Sequence, residues 1–387
     1  MSTAEQSSKG PLSGLKVLEV GGIGPAPFCC MLLADLGADV IRVDRKNPSE
    51  SGFPVDRSFE FVFRSRRSIA LDIKKPEGIE ILKKMIADSD VLVEGFRPGV
   101  MERLGLGPDI CFDINPKLVY GRMTGWGQSG PMAKEAGHDI NYIALTGALH
   151  AIGQKDGPPQ IPLNLIGDFG GGALYLAFGI MCALHESKLS GRGQVVDAAM
   201  VDGSTSLMTM IYGLLASGYW TDERGSNRLD SGAPWYNVYE TKDNRYVAVG
   251  ATEASFYKAT VEVLGLNLAD LPDQHDKSGW PNMKVAFANA FKMRTRDEWC
   301  QAFEGKDCCF SPVLSMAEAP SHPHQRARGN FVNSGGLLQP SPAPKFSRSQ
   351  AQVSAAPPKV GEHTHILLTE AGFKPDDIER FKGAHAI

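Results

Sequence analysis

Val17-Leu18-Glu19-Val20-Gly21-Gly22-Ile23-Gly24-Pro25-Ala26-Pro27-Phe28 joins a short apolar run to a loop of glycine and proline. A helical pattern over 28–37 follows, then the β-branched run Val40-Ile41-Arg42-Val43. Strand, loop, helix and strand within about thirty residues is the size of one parallel βαβ crossover. The alternation continues with an extended segment at 68–73, a helix over 77–87 opened by Pro76, and strands at 91–93 and 118–123. The class this predicts is α/β, an open and mostly parallel sheet with helices on both faces.

The same loop narrows the ligand. It lacks the last glycine of GxGxxG, and Pro25 and Pro27 remove amide donors that a pyrophosphate would use. No GxxxxGK[ST] occurs, which excludes a P-loop. Asp44 ends the second strand, where a ribose-binding carboxylate would sit, but Arg45 after it suggests a phosphate. A nicotinamide oxidoreductase is therefore disfavoured.

Further along, two long helices are expected from Asp139 and from Phe169, then a strand at 195–197 and an Ala/Met-rich helical stretch over 198–218. The segment 220–231 reads as a polar linker, 236–239 with 246–249 as a hairpin, and 295–303 as a helix. Proline-rich 320–358 reads as an extended arm, and 364–372 as a last short helix. The expected organisation is a large domain over 1–198, a helical linker over 199–231, a small α+β domain over 232–319, and an arm over 320–387 that returns to the large domain. No internal repeat is visible.

Over 387 residues the net charge is −4, so no basic nucleic-acid footprint exists. The seven cysteines form no CxxC pair and read as reduced thiols. The polar start MSTAEQSSKGPLSG carries no secretory h-region, the apolar run 173–184 is shorter than the ~20 residues of a bilayer span, and the C-terminus carries no ER or peroxisomal address. A cytoplasmic protein without nucleic-acid or membrane partners is the expectation. His322, His324, His363 and His365 lack a carboxylate cluster beside them, and no metal site is expected.

Cations recur after the proposed strands: Arg45, then Lys74 and Lys75, then Arg97. Ligands of open α/β sheets lie outside those strand ends, and separated cations there suit a ligand with a pyrophosphate and a ribose phosphate. Each read singly is a solvated surface charge. Two groups suit proton transfer. His138 precedes a helix, whose N-terminus disfavours the imidazolium form. Asp168 lies in Gly167-Asp168-Phe169-Gly170-Gly171-Gly172, where the glycines leave room for close approach. Either residue could instead be an N-cap, and Asp139 is the better cap of the two at the first helix. Met200, Met208 and Met210 could form an adaptable apolar surface or simply pack in the core.

GGIGPAP (21–27), LADLGADVIRVDR (33–45), LDIKKPEG (71–78), VEGFRPGVMERLGL (93–106), GWGQSGP (125–131), GHDINYIALTGAL (137–149), GDFGGG (167–172) and PAPKFSRS (342–349) together resemble the α-methylacyl-CoA racemases, within the larger family III CoA-transferase group. The resemblance runs from about Pro11 to Gly372. It implies a Rossmann-like parallel sheet plus a small α+β domain, in interlocked homodimers. It implies His138 and Asp168 as the acid/base pair, with Glu253 supporting them. It implies acyl-CoA contacts at Ile23, Arg45, Leu71, Lys74, Arg97, Arg103, Gly137 and Tyr142. CoA is then part of the substrate, and no separate cofactor is expected. Transferases of the group share the aspartate but generally lack the histidine.

The chemistry stands on its own as well. Racemising a 2-methylacyl thioester requires removing an α-proton and returning one to the opposite face, so one base on each face is the minimal apparatus. The rival is a CoA-transferase with Asp168 as nucleophile, which has no need of the imidazole.

Overall fold

The computed structural model describes residues 10–46 and 54–387. Residues 1–9, which carry most of the expectation about a leader, and 47–53 lie outside the described residues.

The chain opens with β1 (Lys16–Val20), α1 (Pro25–Asp35) and β2 (Asp39–Asp44), then β3 (Arg67–Ala70), α2 (Pro76–Ala87) and β4 (Val91–Glu94). Two short helices, α3 (Val100–Arg103) and α4 (Pro108–Ile114), lead to β5 (Val119–Thr124). Next come α5 (Asp139–Ala144), α6 (Ala148–Ala151), π-helical turns over Leu165–Ala173 that run into α7 (Leu174–Ser190), and β6 (Gln194–Ala199). Helices α8 (Met200–Leu207) and α9 (Thr209–Ala216) precede β7 (Tyr236–Glu240) and β8 (Tyr246–Gly250). Then follow α10 (Ala254–Val263), α11 (Trp280–Phe291), α12 (Arg296–Phe303) and β9 (Phe310–Pro312). The chain closes with α13 (Pro323–Arg328), β10 (Phe331–Ser334), β11 (Leu337–Pro340), α14 (Thr364–Glu370) and α15 (Pro375–Gly383).

These elements form two compact units. The first runs to Thr146 and resumes over Leu163–Leu207 and Arg328–Ile387, and the second comprises Gly147–Pro162 and Met208–Ala327. In the first, six parallel strands lie in the order β3-β2-β1-β4-β5-β6. One face is covered by Cys29, Cys30 and Leu33 of α1 with Leu176 and Ile180 of α7. The other is covered by Ile81 and Leu82 of α2 with Leu367, Leu368 and Phe381 near the C-terminus. Burial on both faces is why the strands read as nearly continuous apolar runs. The second unit is an antiparallel sheet, β7-β8-β9, over an aromatic core of Trp235, Phe287, Phe291 and Trp299.

The division differs from the expected boundary at 198. Helix α8 stays with the first unit because Gly203 seats directly on the Gly171 backbone, a contact any side chain would block. The stretch 220–231 is folded, not a free linker. The buried Asn227 side chain accepts from the Thr221 amide at 2.8 Å, and Asp230 accepts from the Gly225 and Asn227 amides at 2.9 and 2.8 Å. The proline-rich arm holds the β10–β11 hairpin, whose buried Gln339 accepts from Arg64 at 2.9 Å. A second C-terminal helix, α15, follows the one expected.

The apolar run 173–184 lies inside a longer helical segment. Leu165–Ser190 is one continuous helical rod of 26 residues with a window of mean hydropathy 1.5, which satisfies the length and composition of a span. It packs as a sheet-covering helix: Leu176 and Ile180 sit over Gly121 of β5, and Val196 of β6 over Gly179.

Candidate functional site

The strand order reverses direction at β1, which lies between β2 and β4. The connections leaving these strands diverge there and open a crevice beyond their carboxyl ends. Gly22 lies against the Gly95 backbone across the crevice floor, and Phe96 covers Gly21. Gly24 has φ 67° and ψ −112°, and a Cβ on it would lie 3.1 Å from Oδ2 of Asp168. This position needs glycine both for its backbone and for its neighbour.

Charged residues around this edge divide into two kinds. Glu19 is fully buried and pairs with both Arg42 and Arg66. Asp44 accepts from Arg42 Nε at 2.8 Å, Ser68 Oγ at 2.7 Å and Arg57 Nη2 at 3.3 Å. Arg42 also donates to the carbonyls of Gly21 and Gly22 at 3.3 and 3.2 Å, tying the network to the loop. Asp44 is therefore committed inside the fold and does not serve as a ribose ligand. Lys75 is likewise used, its Nζ donating to the Ala384 carbonyl at 2.5 Å.

Arg45, Lys74, Arg97 and Arg103 behave otherwise. All four are exposed and make no ion pair among the described residues. The first three follow β2, β3 and β4 in turn, and Arg103 ends α3. Ile23 stands 54% exposed at the tip of the loop. Leu71 differs, because its side chain is buried in the core and its amide donates to the Asp44 carbonyl at 3.0 Å.

Asp168 sits in the π-helical turns, half-buried, where a plain α-helix from Phe169 was expected. Phe28 stacks on Phe169 at 4.4 Å and fixes the segment against α1. Asn164 Nδ2 donates to Asp168 Oδ2 at 3.1 Å, and the Asp168 amide donates to Asp139 Oδ2 at 2.7 Å. Burial pushes the Asp168 carboxyl above the usual carboxylate range. Asn164 opposes the rise, the Asp139 charge adds to it, and the His138 imidazole opposes it.

His138 is exposed and occupies the N-cap of α5 with extended backbone. Asn141 turns back so that its side-chain oxygen accepts from the His138 amide at 3.0 Å. Helix α5 is six residues, not the long helix expected, because Gly147 at φ 77° turns the chain away. Asp139, expected as the cap, is the first helical residue, and its carboxylate reaches across to the turn that carries Asp168. The Tyr142 hydroxyl donates to the Gly137 carbonyl, and its ring meets Trp126 edge-on at 4.7 Å. Burial, with Asp168 and Asp139 nearby, pushes the Tyr142 phenol up to about 12, while Arg97 opposes the rise. His138, Asp168, Gly137, Tyr142 and the field of Arg97 thus meet around one short helix.

Glu253 lies in the second unit. It is the exposed residue before α10, and Thr252 Oγ1 donates to its carboxylate at 2.7 Å, holding that carboxyl below its usual range. Met200 is buried against Gly172, whereas Met208 is half-buried and Met210 exposed. The sequence reading passed over Asn141 and Asn164. Their spacings of three and four from His138 and Asp168 are the signal that could have found them.

Residues 12–364 match the model of CoA-transferase family III. The chain belongs to the family III CoA-transferases. Family III relatives similar to it include proteins named alpha-methylacyl-CoA racemase from Mus musculus, 47% identical, and from Homo sapiens, 44% identical. Each alignment covers 95% of this chain and 95% of the relative. Among solved structures, a CAIB/BAIF family protein from Brucella suis superposes with a TM-score of 0.82 at 26% identity, over 94% of this family III chain and all of that one.

Proposed function

We propose that the protein interconverts the two configurations at the α-carbon of 2-methyl-branched acyl-CoA thioesters. The observation that carries the reading is the pairing of an exposed imidazole at His138 with the half-buried carboxyl of Asp168, tied together through Asp139. One group takes the α-proton to leave a planar enolate, and the other, already protonated, then delivers a proton to the opposite face. A carboxyl held above its usual range is suited to the delivering role. The near full-length similarity to two racemases supports the same reading.

Arg45, Lys74, Arg97 and Arg103 would hold the phosphates of CoA, with Ile23, Gly137, Tyr142 and the Leu71 main chain beside its nucleoside and pantetheine parts. Glu253 is assigned a supporting role on the resemblance alone. The assembly is proposed to be an interlocked homodimer, and the exposed apolar side chains of Leu174, Phe178 and Leu189 along α7 are consistent with a covered face.

Incubating one enantiomer of 2-methylacyl-CoA with the protein in D2O should place deuterium at Cα and yield the other enantiomer without any acceptor acid. His138→Ala and Asp168→Ala should each abolish inversion, and each should retain washout from the enantiomer its remaining base can reach. Transfer of CoA to an added carboxylate, with no deuterium at Cα and no dependence on His138, would overturn the reading in favour of a transferase.

A further inference from the structure

Asp139 presents an arrangement that the acid/base pair does not by itself explain. Its side chain is buried, with only 6% of the residue exposed. Among the described residues it has no cationic partner, and Oδ1 has no hydrogen-bond partner there. Oδ2 accepts the Asp168 amide at 2.7 Å, and burial pushes the Asp139 carboxyl up while the neighbouring amides of Asp168 and Gly167 oppose the rise. Gly167 packs so closely on it that a Cβ there would lie 2.6 Å from Oδ2. Burying an unpaired carboxylate is unfavourable, and a fold seeking only stability would replace it.

We propose that Asp139 is a positioning residue for Asp168: its carboxylate pins the Asp168 amide within the π-helical turns and sets a second negative charge beside the Asp168 carboxyl. The pinned amide fixes where the Asp168 side chain begins, and Gly24 limits where it can go. The second charge favours the protonated form of Asp168, the form that must deliver a proton. The inference rests on the acid/base role given to Asp168 above.

The surroundings contain few competing charges. From α5, His138 and Asp139 act on Asp168, and Tyr142, which also feels Arg97, is the third titratable neighbour. Asp202 on α8 and Asp197 on β6 act on one another, and Cys29 and Cys30 on α1 face Glu19 and Arg66.

The test uses Asp139→Asn, which keeps an oxygen for the Asp168 amide but removes the charge, and Asp139→Ala, which removes both. The Asp168 carboxyl is titrated by NMR in protein labelled at aspartate Cγ, its resonance assigned by its loss in Asp168→Asn. α-Proton exchange in D2O is followed over the same pH range. In Asp139→Asn the Asp168 midpoint should move to lower pH, and the matching limb of the exchange profile should move with it. Asp139→Ala should lose about tenfold to a hundredfold in exchange, the scale of a hydrogen bond to a charged group. A midpoint that stays at the wild-type pH in Asp139→Asn overturns the proposal, whatever happens to the rate. If the wild-type protein shows no exchange and the midpoint still moves, the racemase reading fails and the positioning role stands.

Discussion

Replacing Gly24 by alanine links the loop that opens the fold to the chemistry beyond it. At φ 67° and ψ −112° the residue lies outside the regions that L-side chains adopt, so alanine should cost roughly 1–3 kcal/mol in stability. The new methyl carbon would also sit 3.1 Å from Asp168 Oδ2, inside ordinary contact. The carboxylate must then give by a few tenths of an ångström, away from a position that Asn164 holds at 3.1 Å. Misplacement of a reacting group on the scale of 1 Å costs on the order of a hundredfold, so a smaller shift should cost about tenfold in α-proton exchange. The control is Gly105→Ala, at φ 69° with no atom within 4 Å of its Cβ, which shares the positive φ without the contact. Denaturant unfolding and exchange in D2O should therefore separate the two variants: both less stable, only Gly24→Ala impaired in exchange. Equal exchange in the two would refute the claim that this loop sets the Asp168 carboxyl.

Two further predictions concern binding and pH. Arg97→Ala should weaken CoA ester binding by roughly 1.5–3 kcal/mol in calorimetry, and wild-type binding by the Arg45, Lys74 and Arg97 variants alike would remove the proposed groove. Because the Asp168 carboxyl is raised in the folded state, the native protein binds its proton more tightly than the unfolded chain. Its contribution is full below the ordinary carboxylate range and is lost as pH rises through the raised value, so Asp168→Asn should be more stable than wild type at neutral pH. Unfolding curves at acid pH should show that advantage vanish, and an advantage that persists there would contradict the assigned cause.

Much of the first unit was legible in the chain itself, because its signals are local. β-Branched runs alternating with helical patterns can bury both faces only as a parallel sheet, and Pro76 marks the start of α2 whatever packs against it. The candidate residues of the site were conspicuous too, since His138 and Asp168 stand beside glycines and helix starts. Their relation to one another was not. Twenty-nine residues separate Asp139 from Asp168, and the 2.7 Å bond between them exists only because α5 and the π-helical turns are packed together in the folded unit. The same holds for the charges. Arg42 and Arg45 are three residues apart in one motif, yet alternation along a strand sends Arg42 into a buried network with Glu19 and Asp44, while Arg45, past the strand end, is left exposed. A charge's side of the sheet edge is a property of register and packing, which no local pattern encodes. The propensity for the sheet lay in the sequence, but the division of its arginines into buried, paired groups and exposed ones was settled only when the strands aligned.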